Sequence, residues 1–165
     1  MMNEKPLRLR AATRDDVADI RRLIRALAEY EKEPDAAVVT EADLLRDGFG
    51  EKPLFKVVMA EWEGAVVGFA FYFYNYSTWQ GRPGLYLEDL FVMPSHRGKG
   101  IGKALLVHLA RIALRENCGR FVWQVLDWNT PSIQFYESLG AVVMKEWLTM
   151  RVTGPALERL AALEA

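Results

Sequence analysis

The sequence predicts an α/β fold in which a mixed central β-sheet carries helices on both faces. Three observations predict it. Runs of β-branched and aromatic residues alternate along the chain with segments whose apolar residues recur at helical spacing. One such run leads through a glycine-rich loop straight into an amphipathic helix. Hydrophobic residues make up 51% of the 165 residues against 26% charged, enough apolar surface for a real core. The length suits one domain over residues 1–165.

Leu7 to Ala11 alternates apolar and basic residues as a strand does, and Thr13 with Asp16 signals a capped helix start. From Asp15 to Tyr30, Val17, Ile20, Leu23, Ile24 and Leu27 form one apolar face, with Arg21, Arg22 and Arg25 between them. Thr40 with Asp43 repeats the cap before a short helix that Gly48 is expected to stop. Lys56 to Trp62 and Ala65 to Tyr76 read as strands joined by a Glu63-Gly64 hairpin turn. After the breaker Gly81-Arg82-Pro83-Gly84 come a strand over Leu85 to Met93 and a helix from Ile101 to Glu116, with Gly119 as its stop. Phe121 to Leu126 reads as a buried strand, Pro131 to Ser138 as a helix stopped by Gly140, Ala141 to Val152 as a closing strand, and Leu157 to Leu163 as a short terminal helix. The order is β-α-α-β-β-β-α-β-α-β.

Charge and composition narrow the partners. Lys and Arg total 21 and Asp and Glu 22, so no basic excess exists to neutralise a run of phosphates, and nucleic acid is not expected. A single cysteine, Cys118, excludes an internal disulfide and a thiolate metal cluster, and two histidines outside a His-Glu-x-x-His pattern give no sign of a metal site. The N-terminus has no apolar signal stretch, and the longest uncharged run, Ala65 to Gly81, falls short of the roughly 20 apolar residues that span a bilayer. A cytoplasmic protein without membrane contact is expected, and small molecules or proteins remain as partners.

The informative junction is Arg97-Gly98-Lys99-Gly100-Ile101-Gly102-Lys103. Backbone amides at a helix N-terminus point outward unpaired with partial positive charge, and glycine removes the Cβ that would hold a pyrophosphate at a distance. A dinucleotide fingerprint counted from Gly98 needs Gly at 103, where Lys103 stands; a P-loop ending at Lys103 needs Gly at 97 and Ser or Thr at 104, where Arg97 and Ala104 stand. Three glycines among Arg97, Lys99 and Lys103 exceed what a tight turn requires, and a phosphate site is expected. Glu88 and Asp89 lie side by side in an otherwise apolar strand, where alternation sends them to opposite faces and places at least one carboxylate where burial is expected. Glu29, Glu31, Glu33 and Asp35 gather at the end of the first helix, against its dipole, which invites a cationic partner; such a run is also what a solvated face looks like.

Arg97-x-x-Gly100-x-Gly102, preceded by Leu90-Phe91-Val92, resembles the acetyl-CoA loop of the GNAT acetyltransferase superfamily. Tyr30-Glu31, Leu44-Leu45-Arg46-Asp47-Gly48-Phe49-Gly50, Tyr86-Leu87-Glu88-Asp89-Leu90-Phe91-Val92-Met93 and Trp128-Asn129-x-Pro131-Ser132-Ile133-x-Phe135-Tyr136 extend the likeness to the diamine acetyltransferase family, which includes spermidine/spermine and thialysine acetyltransferases. The resemblance implies the GNAT fold, acetyl-CoA as cosubstrate, direct attack by a small-molecule primary amine, no metal, and a homodimer in which the run Val66 to Tyr76 could line the shared surface. It implies that Leu90, Phe91 and Val92 hold the pantetheine arm and that Arg97, Gly98, Lys99, Gly100, Ile101, Gly102 and Lys103 hold the pyrophosphate, with Asn129, Pro131, Ser132 and Tyr136 completing the donor site. Tyr136 takes the general-acid position, Glu88 that of the base, and Tyr30, Glu31, Glu88, Asp89, Trp123 and Gln124 the acceptor site. By periodicity alone Tyr136 also reads as a core tyrosine beside Phe135, and Trp123 and Gln124 as sheet residues. His96, His108 and Cys118 read as structural or solvating. Two other functions remain open at this point, acetylation of a protein amine and a non-catalytic acyl-CoA sensor. An acceptor that also carries a carboxylate would need a compensating arginine, for which Arg82 is the candidate.

Overall fold

The computed structural model describes residues 6–163, which fall into two compact units divided between Gln124 and Val125. In the first unit five strands, β1 (Leu7–Ala11), β2 (Lys56–Trp62), β3 (Ala65–Ser77), β4 (Arg82–Val92) and β5 (Arg120–Trp123), form one sheet in the order β1-β2-β3-β4-β5. The first four are antiparallel in turn, and β5 joins β4 in parallel after the crossover helix α3 (Ile101–Arg115). The sheet is therefore mixed, as the sequence predicts. Glu63 and Gly64 both take positive φ, 50° and 84°, the turn conformation that matches the twist of a tight hairpin.

Strand alternation divides the core. Val57, Met59, Phe69 and Phe91 point to one face and pack with Val17, Ile20, Leu23 and Leu27 of α1 (Val17–Tyr30) and Leu44 of α2 (Glu41–Phe49). Val58, Ala70, Tyr72, Leu85 and Leu87 are buried in the opposite phase, the side on which α3 contributes Ile101, Leu105 and Leu109, all at most 1% exposed. Both helix starts are capped as predicted. The Asp43 N–H donates to Thr40 Oγ1 at 3.1 Å while the Asp43 carboxylate accepts from the Thr40 N–H at 3.0 Å, and Asp16 accepts from the Thr13 N–H at 2.7 Å.

Four expectations need correction. Gly48 does not stop α2; it lies inside the helix, where a Cβ would run into the Phe55 ring. Asn117, with φ 54°, takes the left-handed position after α3 in place of Gly119, which lies against the ends of the Gln80 and Arg82 side chains. Of the Gly81–Gly84 breaker only Gly81, at φ 64°, stays in the turn, and Arg82 to Gly84 belong to β4: Pro83 pairs with Tyr76 ahead of the β5 ladder, which starts at Gly84, so the missing N–H breaks no bond to β5. Residues 141–152 form no strand among the described residues. Val142, Met144, Leu148 and Met150 are exposed there, and β-propensity is realised only where a partner strand and a buried face exist. In this second unit α4 (Thr130–Ser138) is stopped by Gly140 at φ 93°, and α5 (Pro155–Ala161) is the expected terminal helix.

β1 is tied to the start of α1 by one arginine. Arg10 donates to both oxygens of Asp16 at 2.7 Å and from Nε to Glu61 at 2.6 Å. The Asp16 side chain is 7% exposed, and the Arg10 guanidinium holds its carboxyl down to about 2. A depressed carboxyl contributes stability in full above its ordinary value and loses it as pH falls through the folded one. Arg10→Met is expected to cost about 2 kcal/mol at pH 7, a Tm loss of about 4–8 °C. That gap should narrow between pH 4 and pH 2; a difference in urea midpoint constant over this range would refute the linkage.

Candidate active site

The site is built on β4 where its pairing changes. Phe71 of β3 faces Asp89, and the next residue, Tyr72, faces Leu87, which leaves Glu88 as an extra residue in the strand. This bulge suspends the alternation that the sequence alone suggests. Leu85 and Leu87 face α3, whereas Asp89 shares the Phe71 and Phe91 face with α1. The parallel ladder to β5 also ends at the bulge, on the pair Leu87 and Trp123. Beyond it, residues 88–92 bond to β3 only, leaving the other backbone edge of Leu90 to Val92 outside the sheet.

The two neighbouring carboxylates have different surroundings. Glu88 is exposed and Asp89 half-buried. Burial, reinforced by the charges of Glu88 and Glu31, pushes the Asp89 carboxyl up to about 7. Glu31, the residue that follows α1, is itself half-buried, and burial raises its carboxyl too. Three carboxylates thus converge where the end of α1 meets β4. Glu29, Glu33 and Asp35 are exposed, and of the acidic run it is Glu31 whose charge acts on Asp89. A group of this kind attracts organic cations and can take a proton near neutral pH.

β4 runs through a short helical turn over Pro94–His96 into the glycine loop. Gly98 and Gly100 have φ of 77° and 78°, a region that favours glycine, and Gly100 caps α3. Gly102 is different. It is helical, and a Cβ there would meet nothing within 4 Å. Neither backbone strain nor packing within the chain requires glycine at this position, and the substitution of glycine for alanine in a helix costs up to about 1 kcal/mol. Open space over the unpaired amides of the first turn of α3, with no acidic residue in that turn, is the form of an anion cradle. A pyrophosphate fits it. Lys99 Nζ lies 4.6 Å from the Trp62 ring centre and Lys103 is exposed on the first turn.

Arg97 does not point along the loop alone. Its Cζ lies 4.4 Å from the centre of the Tyr30 ring and 5.5 Å from that of Phe91, and its Nε donates to the Val92 carbonyl at 3.2 Å. Tyr30 closes α1, so the loop and the end of α1 touch through this side chain. The sequence gives no sign of the contact, which joins two elements far apart in the chain. Trp123, beside the bulge on β5, packs on Phe121 with ring centres 4.9 Å apart, and Gln124 follows exposed. Arg82 begins β4 six residues before Glu88, about 20 Å along an extended strand, and bonds Asn117. It therefore does not serve the carboxylate cluster.

In the second unit Asn129 is buried and caps α4, accepting from the Ser132 N–H at 3.4 Å, with Pro131 in the first turn. Tyr136 is half-buried, its ring centre 5.5 Å from that of Phe135. Asn129, Pro131 and Ser132 thus have a local role in starting the helix that carries Tyr136. Among the described residues no group of three His, Cys, Asp or Glu side chains is arranged to hold a metal ion, and no helix is long and apolar enough to cross a membrane.

Residues 17–141 match the Acetyltransferase (GNAT) family. Thialysine N-epsilon-acetyltransferase of Mus musculus is 42% identical over 93% of this chain and 96% of its own, and that of Sus scrofa 41% over the same shares. L-ornithine N5-acetyltransferase NATA1 of Arabidopsis thaliana is 44% identical over 58% of this chain and 42% of its own. Among solved structures, an integron cassette protein from the V. cholerae mobile metagenome superposes with a TM-score of 0.81 at 32% identity, covering 96% of this chain and 99% of the other. An aminoglycoside acetyltransferase from an uncultured soil metagenomic sample shares the fold at a TM-score of 0.76, with 18% identity over 90% and 96% of the two chains. With the family matched from α1 through α4 and near full-length likeness to N-acetyltransferases, the chain belongs to the acetyltransferase (GNAT) family.

Proposed function

We propose that this N-acetyltransferase moves acetyl from acetyl-CoA to a primary amine of a small acceptor that carries a second amino group: a diamine, a polyamine or a lysine-like amino acid such as thialysine. The observation that carries the reading is the convergence of Glu31, Glu88 and Asp89 beside the free edge of β4. The thialysine and ornithine acetyltransferases among the relatives support the same substrate class.

Bound acetyl-CoA supplies an activated acetyl thioester. The amides of Gly98 to Lys103 hold its pyrophosphate, Lys99 and Lys103 add charge, and the open backbone edge of Leu90, Phe91 and Val92 lines the pantetheine arm. Glu88, exposed at the bulge, draws in the ammonium group; Asp89 takes its proton directly or through a water, because a carboxyl near 7 accepts one at neutral pH far better than a carboxylate near 4. The division of labour expected from the sequence, with Glu88 as base, is thereby shifted by one residue. Glu31 and Tyr30 meet the second cation, Trp123 walls the site, and Gln124 lies at its margin. Tyr136, carried by the helix that Asn129, Pro131 and Ser132 initiate, donates a proton to the departing thiolate. The protein works in the cytoplasm as a homodimer. The run Val66 to Tyr76 is buried or half-buried within the chain except at Tyr74 and Tyr76, which are its members left to support pairing.

Thiol release from acetyl-CoA, measured against spermidine, putrescine, thialysine, ornithine, a matched monoamine and a lysine peptide, tests the reading. Acceptors with a second amino group are expected to exceed the monoamine by about ten-fold or more in kcat/KM, the value of one charge-assisted contact. Equal efficiencies, or a preference for the peptide, would overturn it.

The raised Asp89 carboxyl has two further consequences of definite sign. kcat/KM for the amine should rise as pH passes through about 7, and Asp89→Asn should remove that inflection. A folded carboxyl above its ordinary value makes the native state lose stability as pH climbs from about 4 through 7. Asp89→Asn is therefore expected to raise Tm by about 2–6 °C at pH 8 and by little at pH 5; a variant less stable at pH 8 would contradict the burial of an uncompensated charge.

Gly102→Leu separates the cradle from the fold. Open space and helical φ allow the side chain, so the unliganded protein should hold or gain Tm. At a hundred-fold excess over Kd, acetyl-CoA stabilises wild type by about 2.7 kcal/mol, a shift of about 5–10 °C. In Gly102→Leu that shift should vanish, and its survival would remove the loop from the donor site.

A further inference from the structure

Arg97 stands in the glycine loop by sequence, yet its guanidinium lies over Tyr30 and Phe91, two rings 6.5 Å apart and inclined at 53°. One nitrogen, Nε, is spent on the Val92 carbonyl, and the side chain is exposed. A planar guanidinium can stack on an aromatic face while its outer N–H groups still bond an oxyanion in its own plane. Tyr30, in turn, precedes Glu31, whose charge acts on Asp89. The junction thus joins the anion cradle, the end of α1 and the carboxylate group through one side chain.

We infer that Arg97 is a positioning residue that couples the two substrate sites: a phosphate in the cradle holds its outer N–H groups, presses its plane on Tyr30, and fixes the end of α1 with Glu31 in place for the amine. Filling either site then tightens the other by the same factor, since coupling between binding free energies is reciprocal. The inference rests on the function proposed above and adds to it a mutual tightening of donor and amine and the residue that transmits it. Lysine at 97 keeps the charge but lacks both the plane and the fork, so it is expected to bind phosphate without transmitting the effect.

The test is calorimetric titration of the full chain with spermidine and with thialysine, each with and without saturating CoA, which holds the phosphates but has no acetyl group to transfer. In wild type, CoA is expected to tighten the amine by about five-fold or more. In Arg97→Lys, in Tyr30→Leu and in the double variant the ratio should fall to about one, with no further loss on combination; Tyr30→Phe, which keeps the ring, should restore it. The readout is a ratio, so a variant that merely weakens one ligand does not move it. A ratio near one in wild type with both ligands bound, or an undiminished ratio in either single variant, overturns the coupling while leaving the proposed function standing. Failure of both amines to bind in any state overturns the function as well.

Discussion

One extra residue in β4 governs the active half of this molecule. Without the bulge at Glu88 the strand would keep a single phase, and Asp89 would fall on the side of Leu85 and Leu87, against the apolar face of α3. A slip of one residue inverts every side chain beyond it, so the bulge allows the same strand to present leucines to α3 below and Asp89 and Phe91 to α1 above. The ladder to β5 ends at the same point, so the backbone edge of the following residues stays open to a ligand. Core packing on both faces enforces the arrangement: Phe91 is 4% exposed within the α1 cluster and Leu87 2% exposed on the opposite side, and neither can change phase without emptying its place.

Placing Asp89 there sets function against stability. Its carboxyl is pushed up by burial and by two like charges, and no cation among the described residues relieves it strongly enough to restore an ordinary value. The arginines nearest in sequence are engaged elsewhere, Arg82 with Asn117 and Arg97 with Tyr30 and the Val92 carbonyl. A fold can sustain such a site only where the surrounding frame is firm, and the frame here consists of fully buried Ile20 and Leu23 beneath α1 and the Arg10 cluster at its start. In the proposed reaction the substrate ammonium is the missing positive charge, so binding would relieve a cost that folding alone leaves in place.

Features set by local rules were legible in the sequence. Thr13 and Thr40 cap helices because their partners stand three residues on, Glu63-Gly64 turns a hairpin because both can take positive φ, and the loop at Gly98 and Gly100 is readable from spacing alone. The misreadings came from tertiary context. Gly48 answers to the Phe55 ring, and the left-handed position after α3 falls to Asn117 ahead of Gly119, neither of which a helix-stop rule can see. Residues 141–152 carry β-formers without the partner strand that would make them β. The bulge left a trace that a strict alternation rule passes over: Leu85, Leu87 and Leu90 are spaced two and then three apart, and one face can hold all three only if a residue is inserted between. The contact of Arg97 with Tyr30 left none.

The glycine loop shows how a ligand can be inferred from what the fold does not need. Gly98 and Gly100 are explained twice, by backbone conformation and by room for phosphate, and so discriminate poorly between a turn and a cradle. Gly102 has one explanation. Its φ is helical, its surroundings are empty, and alanine would favour the helix, so the chain carries a local cost with no local return. A residue that breaks its own element's preference without structural cause is where the proposed function brings a ligand to the backbone, and the unpaired amides of α3 suit that place to an anion.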